Sequence, residues 1–374
     1  MKKKQKDKKE QENKKDKVMI ITNHSYMLWQ FRRELIEALM KEYEVVISMP
    51  FVGHEDDFRD MGVRCIDTDI ERRGINPKTD LKLIGVYYHM LKSEKPDFVI
   101  TYSIKPNIYA GLMCSMLRIP FYANVQGLGT AFQKKKLAWF VSILYKLSFL
   151  KVRKVFFENE VNAQEFQKRH IIPAEKQKVL HGAGINLEYY TYQPYPHNES
   201  VHFLFLGRLM KEKGMDELFA AVKKLHREGE NFTLDLVGFF EDEYGEEVEK
   251  LQKNGIAVFH GFQADPRPFY AAADCIVMPS YHEGMSNVLL EAAAVGRPMI
   301  TTNIPGCREA VDHKKSGLLV RVKDEKCLYR GMKYFLKLPR EKREEMGKAG
   351  REKMEREFDK REIVAETMEV LRCE

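Results

Sequence analysis

Short apolar runs rich in Val, Ile, Phe and Leu alternate along the chain with longer stretches of helical period. VMIIT (18–22), EVVIS (44–48), DFVITY (97–102), FYANV (121–125) and KVFFE (154–158) read as strands. Between them, residues 28–41, 79–94 and PNIYAGLMCSML (106–117) read as helices. The second of these stops before Pro96, which disfavours helix in the residue before it. Near-continuous apolar strands separated by helices predict a parallel sheet covered on both faces.

The alternation pauses across HGAGINLEYYTYQPYPHNES (181–200), a Gly-, Pro-, Tyr- and Asn-rich segment that reads as a connection between domains. It then restarts with VHFLFLG (201–207), a helix at 213–228, FTLDLVG (232–238), a helix at 243–254, IAVFHG (256–261), CIVMPS (275–280), a helix at 287–295 and PMITT (298–302). Residues 324–374 read as helical and highly charged. The expected class is therefore α/β, with two Rossmann-like, doubly wound domains facing across a cleft. The expected boundaries are a basic tail at 1–17, a first domain at 18–190 and a second at 191–355. In such open sheets ligands bind beyond the carboxyl ends of the strands.

Composition narrows the function classes. The chain has 374 residues, 44% hydrophobic and 31% charged, with 22 Phe and 17 Tyr, enough to build sizeable cores. No run of 18 apolar residues occurs, so no spanning helix is expected, and the lysine-rich N-terminus lacks the apolar stretch of a secretory signal. Net charge is +7, but residues 1–17 hold nine Lys against four acids. The body is thus nearly balanced, which argues against a nucleic-acid binder. The tail reads as a solvated arm or as an attraction to an anionic membrane surface. Six cysteines without a CxxC pair suggest free thiols in a reducing, cytoplasmic compartment.

Candidate chemistry concentrates after strands in the second half. Gly207 ends FLFLG, where it lets the backbone approach a ligand, and Arg208 and Lys213 follow it. The two cations either converge on one anion or form an ordinary basic turn. CIVMPS is followed by YHEGMSNVLLE, with a helix expected to start near Ser286 or Asn287. Its first amides and dipole favour a diphosphate. Glu283 in the loop and Glu291 a turn into the helix offer carboxylates to hydroxyls.

Together, GRLMKEKG, EGMSNVLLE and TTNIPGCREAV resemble the retaining glycosyltransferases of the GT-B fold, family four. The resemblance covers nearly all of residues 18–374. It implies that the first domain holds an acceptor and the second a nucleotide-sugar donor, and that a last helix near 356–374 packs back on the first domain. The family's E-x7-E motif falls on Glu283 and Glu291. The resemblance implies Arg208 and Lys213 on the donor diphosphate, Glu283 on donor-sugar hydroxyls and Glu291 on the ribose. It implies backbone from Gly284 through Met285, Ser286, Asn287 and Val288 to Leu289 along sugar and phosphate. Gly207 belongs to the same donor set, and Gly238 and His260 to Phe262 lie where the family contacts the nucleobase. TYSIKPNIYAG (101–111), NVQGLGTAF (124–132) and IERRGINPKTD (70–80) resemble the branch that acts on polyprenyl-diphosphate-linked sugars in bacterial glycan assembly. Two positions depart from the family. Thr22-Asn23-His24-Ser25 replaces a glycine-rich loop, and Gln126 stands where many relatives have a histidine. A front-face mechanism, in which the leaving phosphate takes the acceptor proton, needs no side-chain base. Asn23, His24, Ser25, Lys105 and Gln126 are the acceptor-side candidates, with Gln126 also near the reacting sugar.

Other signals are weaker. Asp67-Thr68-Asp69 has a D-x-D pattern but lies far from the phosphate segment, so no metal is expected. GLG (127–129) and GAG (182–184) lack the third glycine of a dinucleotide fingerprint, and no cofactor is expected. Residues 134–154 carry seven positive charges and no acid around an apolar centre, and read as a helix. That helix, with Trp139, Phe140, Lys146 and Lys151, either docks on the cytoplasmic membrane surface or packs on the first domain. The leading expectation is transfer of a hexose or N-acetylhexosamine from a UDP-sugar to a lipid-linked acceptor, with retention. An epimerase of the same fold and a nucleotide-sugar-binding scaffold are the alternatives.

Overall fold

The computed structural model describes residues 15–69, 76–128, 132 and 135–373. The tail at 1–14, the IERRGI segment at 70–75, the GTA stretch at 129–131, Gln133, Lys134 and Glu374 lie outside the described residues. The chain divides into two compact units, one up to Ala183 together with the residues from Ile363 onward, the other Gly184–Glu362.

The first unit begins with β1 (Lys17–Ile21), α1 (Ser25–Glu42), β2 (Glu44–Met49), α2 (Glu55–Asp60) and β3 (Arg64–Asp67). It continues with α3 (Pro77–Glu94), β4 (Phe98–Tyr102), a π-helical turn (Pro106–Ala110) that runs into α4 (Gly111–Leu117), and β5 (Phe121–Val125). Next come α5 (Lys135–Ser148), β6 (Val152–Phe157), α6 (Glu160–Lys168) and β7 (Gln177–Val179). The strands are parallel, in the order β3-β2-β1-β4-β5-β6-β7. Side chains alternate across the pleat, so β1 serves two cores. Val18 and Ile20 pack with Leu28, Leu35, Ile36 and Leu39 of α1, whereas Met19 and Ile21 join Leu83, Tyr87 and Leu91 of α3. Helix α3 opens on Asn76, whose side chain accepts from the Lys78 amide, with a proline in its first turn.

The second unit comprises β8 (Val201–Leu206), α7 (Met215–Arg227), β9 (Phe232–Val237), α8 (Gly245–Lys253), β10 (Ala257–Gly261) and α9 (Arg267–Ala272). These are followed by β11 (Cys275–Met278), α10 (Asn287–Val295), β12 (Met299–Thr302), β13 (Gly317–Val320), α11 (Glu325–Leu336) and α12 (Arg340–Glu357). Its sheet is again parallel, in the order β10-β9-β8-β11-β12-β13. The α/β, doubly wound class expected from the sequence is thus present twice. Helix α13 (Lys360–Cys373) places Ile363, Met368 and Leu371 in the first unit's core, with ion pairs Lys178–Glu366 and Arg372–Glu42.

Several elements escape the pattern reading. Strands β3, β7 and β13 are three or four residues long and lie at sheet edges, where β3 and β7 bury little. The basic segment at 134–154 is a correction. Its helix ends at Ser148, whose hydroxyl donates to the carbonyls of Ile108 and Leu144 at 2.7 and 2.8 Å. A 3-10 turn at Phe149–Lys151 follows, and from Val152 the backbone pairs with β5, so Arg153 and Lys154 belong to a strand.

Among the described residues Arg297 is the largest fully buried side chain, and its partners are carbonyls. It donates to Gln193, Pro194, Tyr270 and Ala271 at 2.8–3.0 Å, tying the irregular 184–200 segment to the ends of α9 and α10. Arg297→Met would remove the donors that hold these carbonyls together, a loss of about 1.5–3 kcal/mol. The expected result is a clearly lower urea midpoint for the second unit. A midpoint within error of the parent would show that this staple contributes nothing.

Candidate functional site

Strand order reverses once in each sheet, between β1 and β4 and between β8 and β11. At such a reversal the loops leaving neighbouring strands turn to opposite sides and leave a crevice. In the second unit the loops at this position carry Gly207 to Gly214 and Tyr281 to Ser286.

Gly207 and Gly238 end β8 and β9 at φ of +145° and +146°. A Cβ on Gly238 would lie 1.8 Å from the Gly207 carbonyl oxygen, so no other residue fits there. The two following loops are laced together: the Leu209 amide donates to Phe239 O at 2.8 Å and the Glu241 amide to Leu209 O at 3.1 Å. Arg208 faces Glu241 at 3.4 Å. Lys213, in a 3-10 turn before α7, pairs with Glu283 at 2.5 Å, and both are mostly buried. The Tyr281 amide donates to Glu212 O at 2.8 Å, fastening the loop before α10 to the lysine turn.

Helix α10 starts at Asn287 after Ser286, as the sequence suggested. The Ser286 backbone is extended, but its side chain makes no capping bond. Its amide instead donates to Gly306 O at 2.8 Å. Gly306 has φ +83°, and a Cβ there would come within 2.5 Å of Gly284 O. The PGC loop after β12 is therefore a clamp on the Glu283–Gly284 backbone, closed by Glu309, which accepts from the Gly306 amide at 2.7 Å. Motif spacing did not identify this clamp, nor Glu241 opposite Arg208. Met285 and Leu289 are buried, while Asn287 and Val288 are half-buried at the helix start.

Glu291 is placed differently from Glu283. Its carboxylate is buried, accepts the Tyr270 hydroxyl at 2.8 Å and also bonds Tyr190. Burial raises its pKa to about 7, opposed by those two hydroxyls and by Lys360. It is turned to tyrosines rather than to open space. On β10, His260 Nε2 lies 2.7 Å from Asp235 Oδ1, Phe262 is largely exposed, and Gln263 donates to His260 O.

In the first unit a cavity of about 240 Å³ lies at the β1/β4 reversal. Asn23, Ser103, Ile104, Lys105, Gln126 and Tyr145 are among its walls, so three of the five acceptor-side candidates meet. Lys105 pairs with Asp80 at 2.8 Å. Ser25 instead starts α1 fully buried, and His24 precedes it with its ring against Tyr26. Asp67 accepts the Phe51 amide at 3.2 Å. On α5, Trp139, Phe140 and Leu147 are exposed, with Leu150 beyond the helix end. Among the described residues no helix is long and apolar enough to cross a membrane.

The family profile described as glycosyl transferases group 1 matches residues 193–353, and that described as glycosyl transferase 4-like matches 17–159. The chain is similar to the N,N'-diacetylbacillosaminyl-diphospho-undecaprenol alpha-1,3-N-acetylgalactosaminyltransferase of Campylobacter jejuni, at 27% identity over 80% of this chain and 84% of that protein. It is also similar to the capsular polysaccharide biosynthesis glycosyltransferase CapM of Staphylococcus aureus, at 30% identity over 46% of each. Among solved structures, Anabaena Alr3699/HepE in complex with UDP and glucose shares the fold at a TM-score of 0.76 and 15% identity, over 95% of this chain and 98% of that one. Sucrose-phosphate synthase from Thermosynechococcus elongatus does so at 0.75 and 19%, over 96% and 98%.

The raised pKa of Glu291 sets a pH dependence. A folded-state value of about 7 against an ordinary 4.5 means that the folded chain holds a proton the unfolded chain has lost. Stability therefore falls as pH rises from about 4.5 through 7, by up to roughly 3 kcal/mol from this group. Glu291→Gln removes that dependence, so the melting temperature of the variant relative to the parent should rise between pH 5 and pH 8. A pH-independent difference between the two melting curves would refute the assignment.

Proposed function

The chain belongs to the glycosyltransferases of group 1, and from that premise we propose that it moves a hexose or N-acetylhexosamine from a UDP-sugar to a polyprenyl-diphosphate-linked saccharide, with retention. The observation that carries this reading is the convergence at the β8/β11 reversal. Gly207 and Gly238 leave bare backbone there, Arg208 and Lys213 supply positive charge, and the α10 N-terminus adds its dipole. UDP in the similar Anabaena structures supports uridine as the donor nucleoside. The Campylobacter relative supports a lipid diphosphate on the acceptor.

On this reading the diphosphate takes Arg208, Lys213 and the first α10 amides. The bond between the sugar's anomeric carbon and the β-phosphate oxygen breaks, and charge grows on the departing UDP. The fixed cations and amides stabilise that charge. The acceptor oxygen bonds the anomeric carbon on the same face, and its proton passes to the leaving phosphate oxygen. Glu283, held by Lys213 until the phosphate arrives, then accepts donor-sugar hydroxyls. Gly284 to Leu289 line the donor, and His260 to Phe262 form its nucleobase end. Glu291 meets the ribose by exchanging tyrosine hydroxyls for ribose hydroxyls.

Arg208→Ala and Lys213→Ala should each lower kcat/KM for the donor by about 10- to 150-fold, the worth of a charge-assisted hydrogen bond. Glu283→Gln should lower kcat more than Glu291→Gln does. Transfer of labelled sugar to a polyprenyl-diphosphate-linked acceptor is the assay. Unaltered kinetics in both cation variants would remove the diphosphate assignment, and epimerised sugar without glycolipid would make the chain an epimerase.

Docking at the cytoplasmic membrane surface is the second part of the proposal. Trp139, Phe140 and Leu147 are exposed on one helix whose neighbours Lys135, Lys136, Lys146 and Lys151 are exposed as well. Each cation near an anionic surface contributes about 1 kcal/mol. Replacing those four lysines with Gln should release the protein from anionic vesicles in co-sedimentation at low salt, with circular dichroism unchanged. Undiminished sedimentation of a folded variant would assign this face to a protein partner.

A further inference from the structure

Lys213 and Glu283 reach each other on flexible side chains, and a pair of this kind loses entropy in taking one geometry. It keeps that geometry only where the two backbones behind it are held in register. The backbones belong to different loops, the 3-10 turn Lys211–Lys213 after β8 and the loop after β11. They touch directly at one point, since a Cβ on Gly214 would lie 2.2 Å from the Pro279 carbonyl oxygen.

Tyr281 ties the same two segments on both sides of Lys213. It lies two residues before Glu283. Its amide donates to the carbonyl of Glu212, the residue before Lys213, at 2.8 Å. Its hydroxyl donates to Glu217, four residues after Lys213 on α7, at 2.8 and 2.7 Å from the two carboxylate oxygens. Glu217 stands in the first turn of α7, where the helix dipole favours a carboxylate, and a hydrogen bond to a charged acceptor is the stronger kind. A third loop closes over the ring: Lys323, after β13, holds its ammonium 4.8 Å from the ring centroid. Tyr281 is buried, and burial followed by the Glu217 carboxylate raises its phenol above the ordinary value, so the hydroxyl remains a donor at neutral pH. The Gly306 clamp fixes Glu283 from the β12 side, and Tyr281 fixes it from the β8 side.

We propose that Tyr281, with Glu217 as its anchor, is a positioning residue for donor binding: it acts through the Lys213–Glu283 pair, holding the ammonium where a diphosphate and the carboxylate both reach it. The proposal rests on the donor reading given above. Neither spacing nor motif singles out Tyr281, because its anchor lies 64 residues earlier in the chain.

Two measurements on the full chain test it, and the first needs no ligand. Lys213→Ala, Glu283→Ala and the double variant are made in the parent and again with Tyr281→Phe, and urea unfolding of the second unit is followed. The coupling between Lys213 and Glu283, read as the departure of the double variant from the sum of the single changes, should fall to less than about half in the Tyr281→Phe series. Undiminished coupling would overturn the proposal. The second measurement is calorimetric binding of UDP. Tyr281→Phe should weaken UDP by about 3- to 10-fold, the worth of one hydrogen bond, and by less than about 2-fold when Lys213 is already Ala. Equal losses in both backgrounds would show that Tyr281 supports the fold without acting through Lys213, and would overturn the proposal as well. Glu217→Ala removes the same hydrogen bond from its other end, and replaces Tyr281→Phe in both measurements if that variant loses its cooperative transition. Absence of UDP binding by the parent would refute the UDP-donor reading, whereas the unfolding cycle would still decide whether Tyr281 holds the pair.

Discussion

Both candidate sites in this chain hang on one topological constraint, the reversal of strand order in a parallel sheet. Right-handed crossovers send successive helices to one face until the order turns, and then to the other. Only there do two adjacent loops part. The first sheet turns between β1 and β4, the second between β8 and β11. The polar cavity and the cationic glycine-rich loops occupy these two places. Neither site needed a special element; each uses space that the winding leaves open.

What differs between the two sites is how the backbone is brought to the ligand. In the second unit it is bare. Gly207 and Gly238 approach so closely that a single added carbon on Gly238 would collide with a carbonyl oxygen, and Gly306 presses on Gly284 in the same way. Bare main chain of this kind suits the diphosphate of the proposed donor. In the first unit polar side chains line the cavity. Asn23, Ser103, Lys105 and Gln126 project from three different loops, and a loop set of this kind can change its ligand without disturbing the sheet.

Much of this was legible in the sequence because long parallel strands buried on both faces announce themselves. VMII, FVITY, FYANV and FLFL carry four or more apolar residues in a row or nearly so, and each is a central strand. The edge strands β3 and β7 read RCID and QKV; with a neighbour on one side only, they tolerate polar residues and lose the signal. The basic helix was drawn too long because its charges continue into β6, and charge does not distinguish a helix from a strand. At the donor side the motif reading gave Arg208, Lys213 and Glu283 their neighbourhood, but not their partners. Pairing of Lys213 with Glu283, and of Arg208 with Glu241, depends on loops 70 and 33 residues apart in sequence. Burial of Glu291 by Tyr190 and Tyr270 was equally invisible, since one tyrosine comes from the connecting segment and the other from the short helix α9.

The Lys213–Glu283 pair has a consequence for the proposed donor reaction. The two side chains satisfy each other, and both are mostly buried. A diphosphate that attracts Lys213 competes with Glu283 for the ammonium, whose three donors both can share. The carboxylate then needs further hydrogen-bond donors, and the hydroxyls of a sugar attached to that diphosphate are the nearest supply. A nucleoside diphosphate without its sugar offers the phosphate but not the hydroxyls, and so leaves Glu283 less well satisfied. In the proposed reaction the pair couples phosphate binding to sugar recognition through one ion pair, an advantage for the intact donor over the spent nucleotide that neither residue provides alone.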